Sequence, residues 1–145
     1  MKVQEIGHVV VKVRDRARAE EFYGGLLGMP VVARRDDPPL TFFSLGNHHD
    51  FAILEVGEGG ADPAPNSPGL FHVAFRVGDS IEDLAEAKNH LESHGVAIGM
   101  VADHTVTKSV YFADPDGNMI EFYVDVSDVW QEDPQRVADF EPLTL

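Results

Sequence analysis

Two stretches decide the fold: GHVVVKVRD at Gly7 to Asp15 and FHVAFRVGD at Phe71 to Asp79, offset by 64 residues. Similarity at a fixed offset is the mark of an internal duplication. Each stretch runs from a His through β-branched or aromatic residues to an Asp suited to cap a helix. After the first copy, Arg16 to Leu27 is predicted as a helix with Ala19, Phe22, Tyr23 and Leu26 on one side, closed by Gly28. After the second, Ile81 to His94 repeats the pattern with Leu84, Ala87, Lys88 and Leu91, closed by Gly95.

Beyond each helix lie short extended runs: Pro30 to Arg35, Leu40 to Leu45 and Phe51 to Val56, then Val96 to Asp103, Ser109 to Ala113 and Met119 to Val126. Each half therefore reads β-α-β-β-β. The expected fold is α+β, with two tandem modules at about 5–57 and 70–126 forming a curved mixed sheet around a metal site. These modules make one domain over 1–126, followed by a C-terminal tail over 127–145. Gly57 to Gly69 is the expected connector, DPDGN at Asp114 to Asn118 is a hairpin turn, and the acid- and Pro-rich tail is expected to pack along the surface.

The bulk composition narrows the function classes. Hydrophobic residues make up 43% of the 145 and charged ones 25%, the proportions of a folded globular chain. With 25 acidic and 11 basic residues the formal charge is -14, a field that repels nucleic-acid phosphates and anionic membranes. No apolar run approaches a membrane span and the first residues lack a signal-peptide pattern, so a cytoplasmic location is expected. The chain has no Cys, so any metal must be held by His and carboxylate.

Strand alternation then selects the ligands. Val9, Val11 and Val13 form the apolar set expected to meet the first helix, which leaves His8 on the opposite face. Val73, Phe75 and Val77 likewise leave His72 facing away, and Ile120, Phe122 and Val124 leave Glu121 with Tyr123 on the other side. Two imidazoles at matched repeat positions and one carboxylate make a 2-His-1-carboxylate set, the arrangement of non-haem Fe(II) enzymes with open positions for substrate and dioxygen.

Beyond the triad, the chain resembles the vicinal oxygen chelate superfamily, which includes glyoxalase I, extradiol dioxygenases, and fosfomycin and bleomycin resistance proteins. The resemblance covers about Glu5 to Val126. It is carried by GHVVVKVRD, FYGGLLGM at Phe22 to Met29, GLFHVAFRV at Gly69 to Val77 and YFADPDGNMIEFY at Tyr111 to Tyr123. Around the triad it is most similar to the extradiol, catechol 2,3-type dioxygenases. That resemblance implies that His49 in HHDFAIL is the acid-base His, with adjacent His48 as the alternative. It also implies that His104 and Tyr111 hydrogen-bond to substrate. The implied cofactor is Fe(2+), with Mn(2+), Ni(2+) or Zn(2+) as alternatives; the implied partners are a small aromatic substrate, O2 and further copies of the chain in a homodimer or higher homo-oligomer.

Two other functions fit the same family. A glyoxalase I-like lyase, isomerase or epimerase using Ni or Zn would need a fourth ligand, for which Glu55 is the candidate. A non-catalytic antibiotic-binding protein would use the concave sheet without a metal, with Phe42, Phe51 and Met119 lining an apolar cavity.

Overall fold

The computed structural model describes residues 1–62, 64 and 66–145. The chain divides into two compact units, Met1–Ser67 and Pro68–Leu145. Their boundary falls in the expected connector, whose Pro63 and Pro65 lie outside the described residues.

The first unit contains β1 (Val9–Val13), α1 (Arg16–Glu20), β2 (Val31–Asp36), β3 (Pro39–Phe43) and β4 (Phe51–Glu55), with strand order β1-β4-β3-β2. β1 runs parallel to β4 and the other pairs are antiparallel. Asp15 begins α1 by accepting from the Arg18 main-chain N–H at 2.8 Å. The predicted continuous helix gives way after Glu20 to a π-helical turn, Glu21–Leu26, in which Leu27 N–H donates to the Phe22 carbonyl at 2.9 Å. Gly24 and Gly25 weaken the α preference there. The wider turn also seats Tyr23 in the core, its ring 4.7 Å from that of Phe51.

The second unit repeats the order with β5 (Val73–Arg76), α2 (Ile81–Ser93), β6 (Ile98–Asp103), β7 (Thr107–Ala113) and β8 (Met119–Asp125). α2 starts with a reciprocal cap in which the Ser80 hydroxyl takes the Asp83 N–H and the Asp83 carboxylate takes the Ser80 N–H. Gly78 is needed beside it, because a Cβ there would collide with the Asp83 side chain. Leu84 and Leu91, from the predicted apolar side, are fully buried.

The α+β architecture of two β-α-β-β-β modules is as read from the sequence, each module closing its own sheet of mixed strand direction. The tail does more than lie on the surface. After short 3-10 turns at Val129–Gln131 and Pro134–Ala138 it contributes β9 (Glu141–Pro142), which extends the second sheet to β5-β8-β7-β6-β9. Ala102 pairs with Pro142 and Asp103 with Glu141, covering an edge of β6 that would otherwise be open. Both modules carry a bulge at the matched position, Val32 in β2 and Gly99 in β6. Among the described residues no helix is long and apolar enough to cross a membrane.

Candidate metal and substrate site

In the second unit, α2 packs against β7 and β8 over a face built from Val110, Phe112, Ile120, Phe122 and Val124. Register fixes what the opposite face holds. Ala74 stands beside Glu121, Glu121 beside Tyr111, and Ser109 beside Tyr123. The alternation that separates Glu121 and Tyr111 from the helix is therefore present in the fold.

These side chains converge. His72, immediately before β5, brings Nε2 to 3.0 Å from Glu121 Oε2, while the Ser109 hydroxyl donates to Glu121 Oε1 at 2.6 Å. The Glu121 side chain keeps only 10% of its exposure, so its carboxylate depends on these partners to offset lost hydration. The His72 and Tyr111 rings meet edge to face at 5.7 Å. Burial, followed by the Glu121 charge, pushes the Tyr111 phenol up to about 12, which keeps it protonated at neutral pH. The Tyr111 hydroxyl in turn lies 2.9 Å from His104 Nε2.

His104 occupies the turn between β6 and β7. Its main-chain N–H donates to the Thr107 carbonyl at 2.9 Å, and Thr105 beside it takes a left-handed φ of 67°. That conformation costs a β-branched residue about 1–3 kcal/mol. Alternation could have singled out Ser109, since it sits two residues before Tyr111 in the same strand. Thr105 and its tail partner Asp139 have no local sequence signal.

In the first unit, His8 lies just before β1 and its ring is 4.2 Å from that of His49. The loop holding His49 is fixed to β1 by the Val9 N–H, which donates to the Asp50 carbonyl at 3.1 Å. Between the adjacent imidazoles, His49 is the one against His8. His48 supports it from behind through an Nδ1 to Nδ1 contact of 2.8 Å. Partial burial, then the neighbouring His8 and His48, holds the His49 imidazole below its ordinary value of 6.5, against the opposing pull of Asp50. Phe42 meets the His49 ring edge to face at 5.3 Å.

Glu55 is not placed as a fourth ligand would be. It pairs with Val13, at the far end of β1 from His8, and on the face that packs against the helix. Its Oε2 accepts the Arg16 main-chain N–H at 2.7 Å, helping to cap α1. The repeat equivalent of Glu121 is Ala52, since Val10 pairs with Ala52 just as Ala74 pairs with Glu121. Phe51 likewise faces α1 in the core, packed between Tyr23 and Phe43, and lines no cavity on the His8 face.

Of the three expected ligands, the second unit brings His72 and Glu121 together, and His8 belongs to the first. Among the described residues no group of three or more His, Asp or Glu side chains is gathered for a metal ion. The His72–Glu121 pair fits one nonetheless. Two ligand atoms at right angles on an ion with bonds of about 2.1 Å lie roughly 3 Å apart, the spacing found between Nε2 and Oε2. His72 Nδ1 is buried with no hydrogen-bond partner among the described residues, so the polar contact of this ring is the one at Nε2.

The model of the Glyoxalase/Bleomycin resistance protein/Dioxygenase superfamily matches residues 5–122, and the chain belongs to that family. It is 32% identical over 129 residues to a catechol-2,3-dioxygenase of Bacillus subtilis, an alignment covering 88% of this chain and 44% of that enzyme. It is also 27% identical over 120 residues to a lactoylglutathione lyase of Neisseria meningitidis, covering 79% of this chain and 86% of the lyase. The chain spans less than two thirds of the length of the dioxygenases it matches. Among solved structures, a glyoxylase/bleomycin resistance protein/dioxygenase domain from Frankia sp. EAN1pec shares the fold. It has a TM-score of 0.72 and 24% identity, and the match covers 86% of this chain and all of that one.

Proposed function

We propose that this chain is an extradiol-type ring-cleaving dioxygenase acting on a catechol-like aromatic with O2, and that His8, His72 and Glu121 hold a ferrous ion. The observation that carries this reading is the Glu121–Tyr111–His104 constellation of the second sheet, whose matching rung in the first holds only Ala52 and Phe42. A lyase using four protein ligands would need an acid on the His8 face of β4, and Glu55 is committed to capping α1 instead. When bound, an ion with three protein ligands would leave positions for both oxygens of a catechol and for O2, holding them in reacting geometry.

The protein's own groups supply the proton chemistry. His49 has its Nδ1 engaged with His48, so Nε2 is the atom that takes the catechol proton and later returns it. Its depressed basicity keeps the ring neutral and ready to accept. Tyr111, protonated at neutral pH, points its proton to His104 and offers its oxygen to a substrate hydroxyl. Phe42 gives His49 an apolar wall that restricts water.

Anaerobic loading with Fe2+ is expected to give about one ion per chain and O2-dependent conversion of catechols to yellow ring-opened products. Turnover of hemithioacetals, with no O2 uptake across a panel of catechols, would assign the isomerase reaction instead. A His8→Ala, His72→Ala double variant should lose the ion; full occupancy in that variant would overturn the ligand assignment.

A further inference from the structure

The tail beyond the repeat reaches back to the turn that carries His104. From Trp130 to Pro142, Asp139 is the one residue that is partly buried, the others being exposed. Its main-chain carbonyl lies 2.9 Å from His104 Nδ1, and its Oδ2 accepts from the Thr105 hydroxyl at 2.7 Å. The Arg136 guanidinium meets the same Oδ2 at 3.2 Å, and the Phe140 ring lies 5.7 Å from that of His104.

A carbonyl oxygen can only accept, so Nδ1 must be the protonated nitrogen of His104. In the neutral ring Nε2 then carries the lone pair, and the Tyr111 hydroxyl at 2.9 Å is its donor. The bonds run in one direction, from Tyr111 O–H to His104 Nε2 and from His104 Nδ1–H to the Asp139 carbonyl. Thr105 supports this arrangement at a conformational cost. Gly or Asn would relax its left-handed backbone, but neither offers the hydroxyl that holds Asp139.

We propose that the segment around Asp139 is a positioning element of the site: held by Thr105, it fixes His104 as the Nδ1–H tautomer and so aims the Tyr111 hydroxyl. The resemblance implies that His104 hydrogen-bonds to substrate; in this arrangement the neutral ring presents an acceptor at Nε2, which Tyr111 occupies. With the tether released, the ring is free to carry its proton on Nε2, where it would donate to the Tyr111 oxygen and turn the phenol proton elsewhere. The catalytic use of this tautomer rests on the dioxygenase reading above, whereas the tautomer itself does not.

Nitrogen NMR of isotopically labelled histidine in the metal-free full chain tests the tether directly. The His104 signals should show a protonated Nδ1. Thr105→Val and Asp139→Ala should shift them towards a protonated Nε2, while Asp139→Asn, which keeps an oxygen acceptor for Thr105, should restore the original pattern. Circular dichroism of each variant checks the fold. In the Fe(II)-loaded chain the first two variants should lower kcat about tenfold, the equivalent of one lost hydrogen bond, with KM and metal content little changed. A protonated Nε2 in the unaltered chain, or an unshifted Nδ1–H pattern in both folded variants, would overturn the proposal. If the tautomer shifts but the unaltered chain cleaves no catechol, the tether stands and the dioxygenase reading fails. If ring cleavage is found without the shift, the dioxygenase reading stands and the tether fails.

Discussion

Where β7 and β8 set Tyr111 opposite Glu121 and β8 sets Tyr123 beside Ser109, the matching rungs of β3 and β4 set Phe42 opposite Ala52 and Leu40 opposite Leu54. The two faces have the same register and parity, and each is turned away from its helix. They differ in chemistry: one carries a carboxylate, two phenols and a hydroxyl, the other hydrocarbon. The duplication thus supplies a common frame, while a few side chains at equivalent rungs determine what each half can do. On the dioxygenase reading proposed above, what the first half would contribute comes from just outside its strands, at His8 and His49, whose rings lie 4.2 Å apart.

The largest effect should come from removing that contribution. His49→Phe is expected to lower ring cleavage roughly 100- to 10,000-fold with iron content unchanged, as measured by steady-state kinetics alongside metal analysis. Unchanged turnover would leave the first unit with a ligand role alone and break the division of labour between halves.

A smaller effect sharpens the comparison from the other side. Ala52→Glu supplies the first sheet with the acid it lacks, but at a fully buried position beside Phe42, with no counterpart of Ser109 to donate to it. Denaturant unfolding should show a loss of about 3 kcal/mol. A neutral outcome would mean that this face can accept a charge and that its apolar character is incidental.

The smallest effect concerns the helix starts. α1 draws its N-terminal acceptors from Asp15 and from Glu55 on a distant strand, whereas α2 relies on the local Ser80–Asp83 pair. The main-chain N–H of Asp79, then the Ser80 contacts, holds the Asp83 carboxyl below its ordinary value of 3.8. A lowered folded value means that its stabilisation is present above 3.8 and is lost as pH falls through the folded value. Asp83→Asn should therefore lower stability at neutral pH and converge with the unaltered chain in acid, where the carboxyl is protonated, so that the profile flattens in thermal unfolding across pH.

Much of this was legible in the sequence because repeats and alternation are local properties. The matched His8 and His72, and the shared face of Glu121 and Tyr111, need only the offset and the two-residue period of a strand. Glu55 shows where that method stops. Alternation places it on one face with Phe51 and Ile53, but β4 is apolar on both faces through Phe51, Ala52, Ile53 and Leu54. Nothing in the pattern therefore said which face met the helix. The link from Thr105 to Asp139 crosses 34 residues and ends on a main-chain carbonyl as well as a carboxylate. Side-chain identity does not encode such a carbonyl contact. The two-residue strand β9 contains Pro142 and is too short to leave a period.

The bulges at Val32 and Gly99 act on strand phase. Each slips its strand by half a period against its neighbour, so that Ala33 stands beside Phe42 and Met100 beside Tyr111. Because both halves carry the slip at the same place, their later rungs stay in step as far as Asp36 and Asp103. There the halves diverge, for the first turns back through Asp37 and Pro38 while the second takes the longer path from His104 to Thr107. A phase error upstream would change which residue reaches that corner. Gly99, in an unremarkable strand position, thus sets the address at which His104 is delivered.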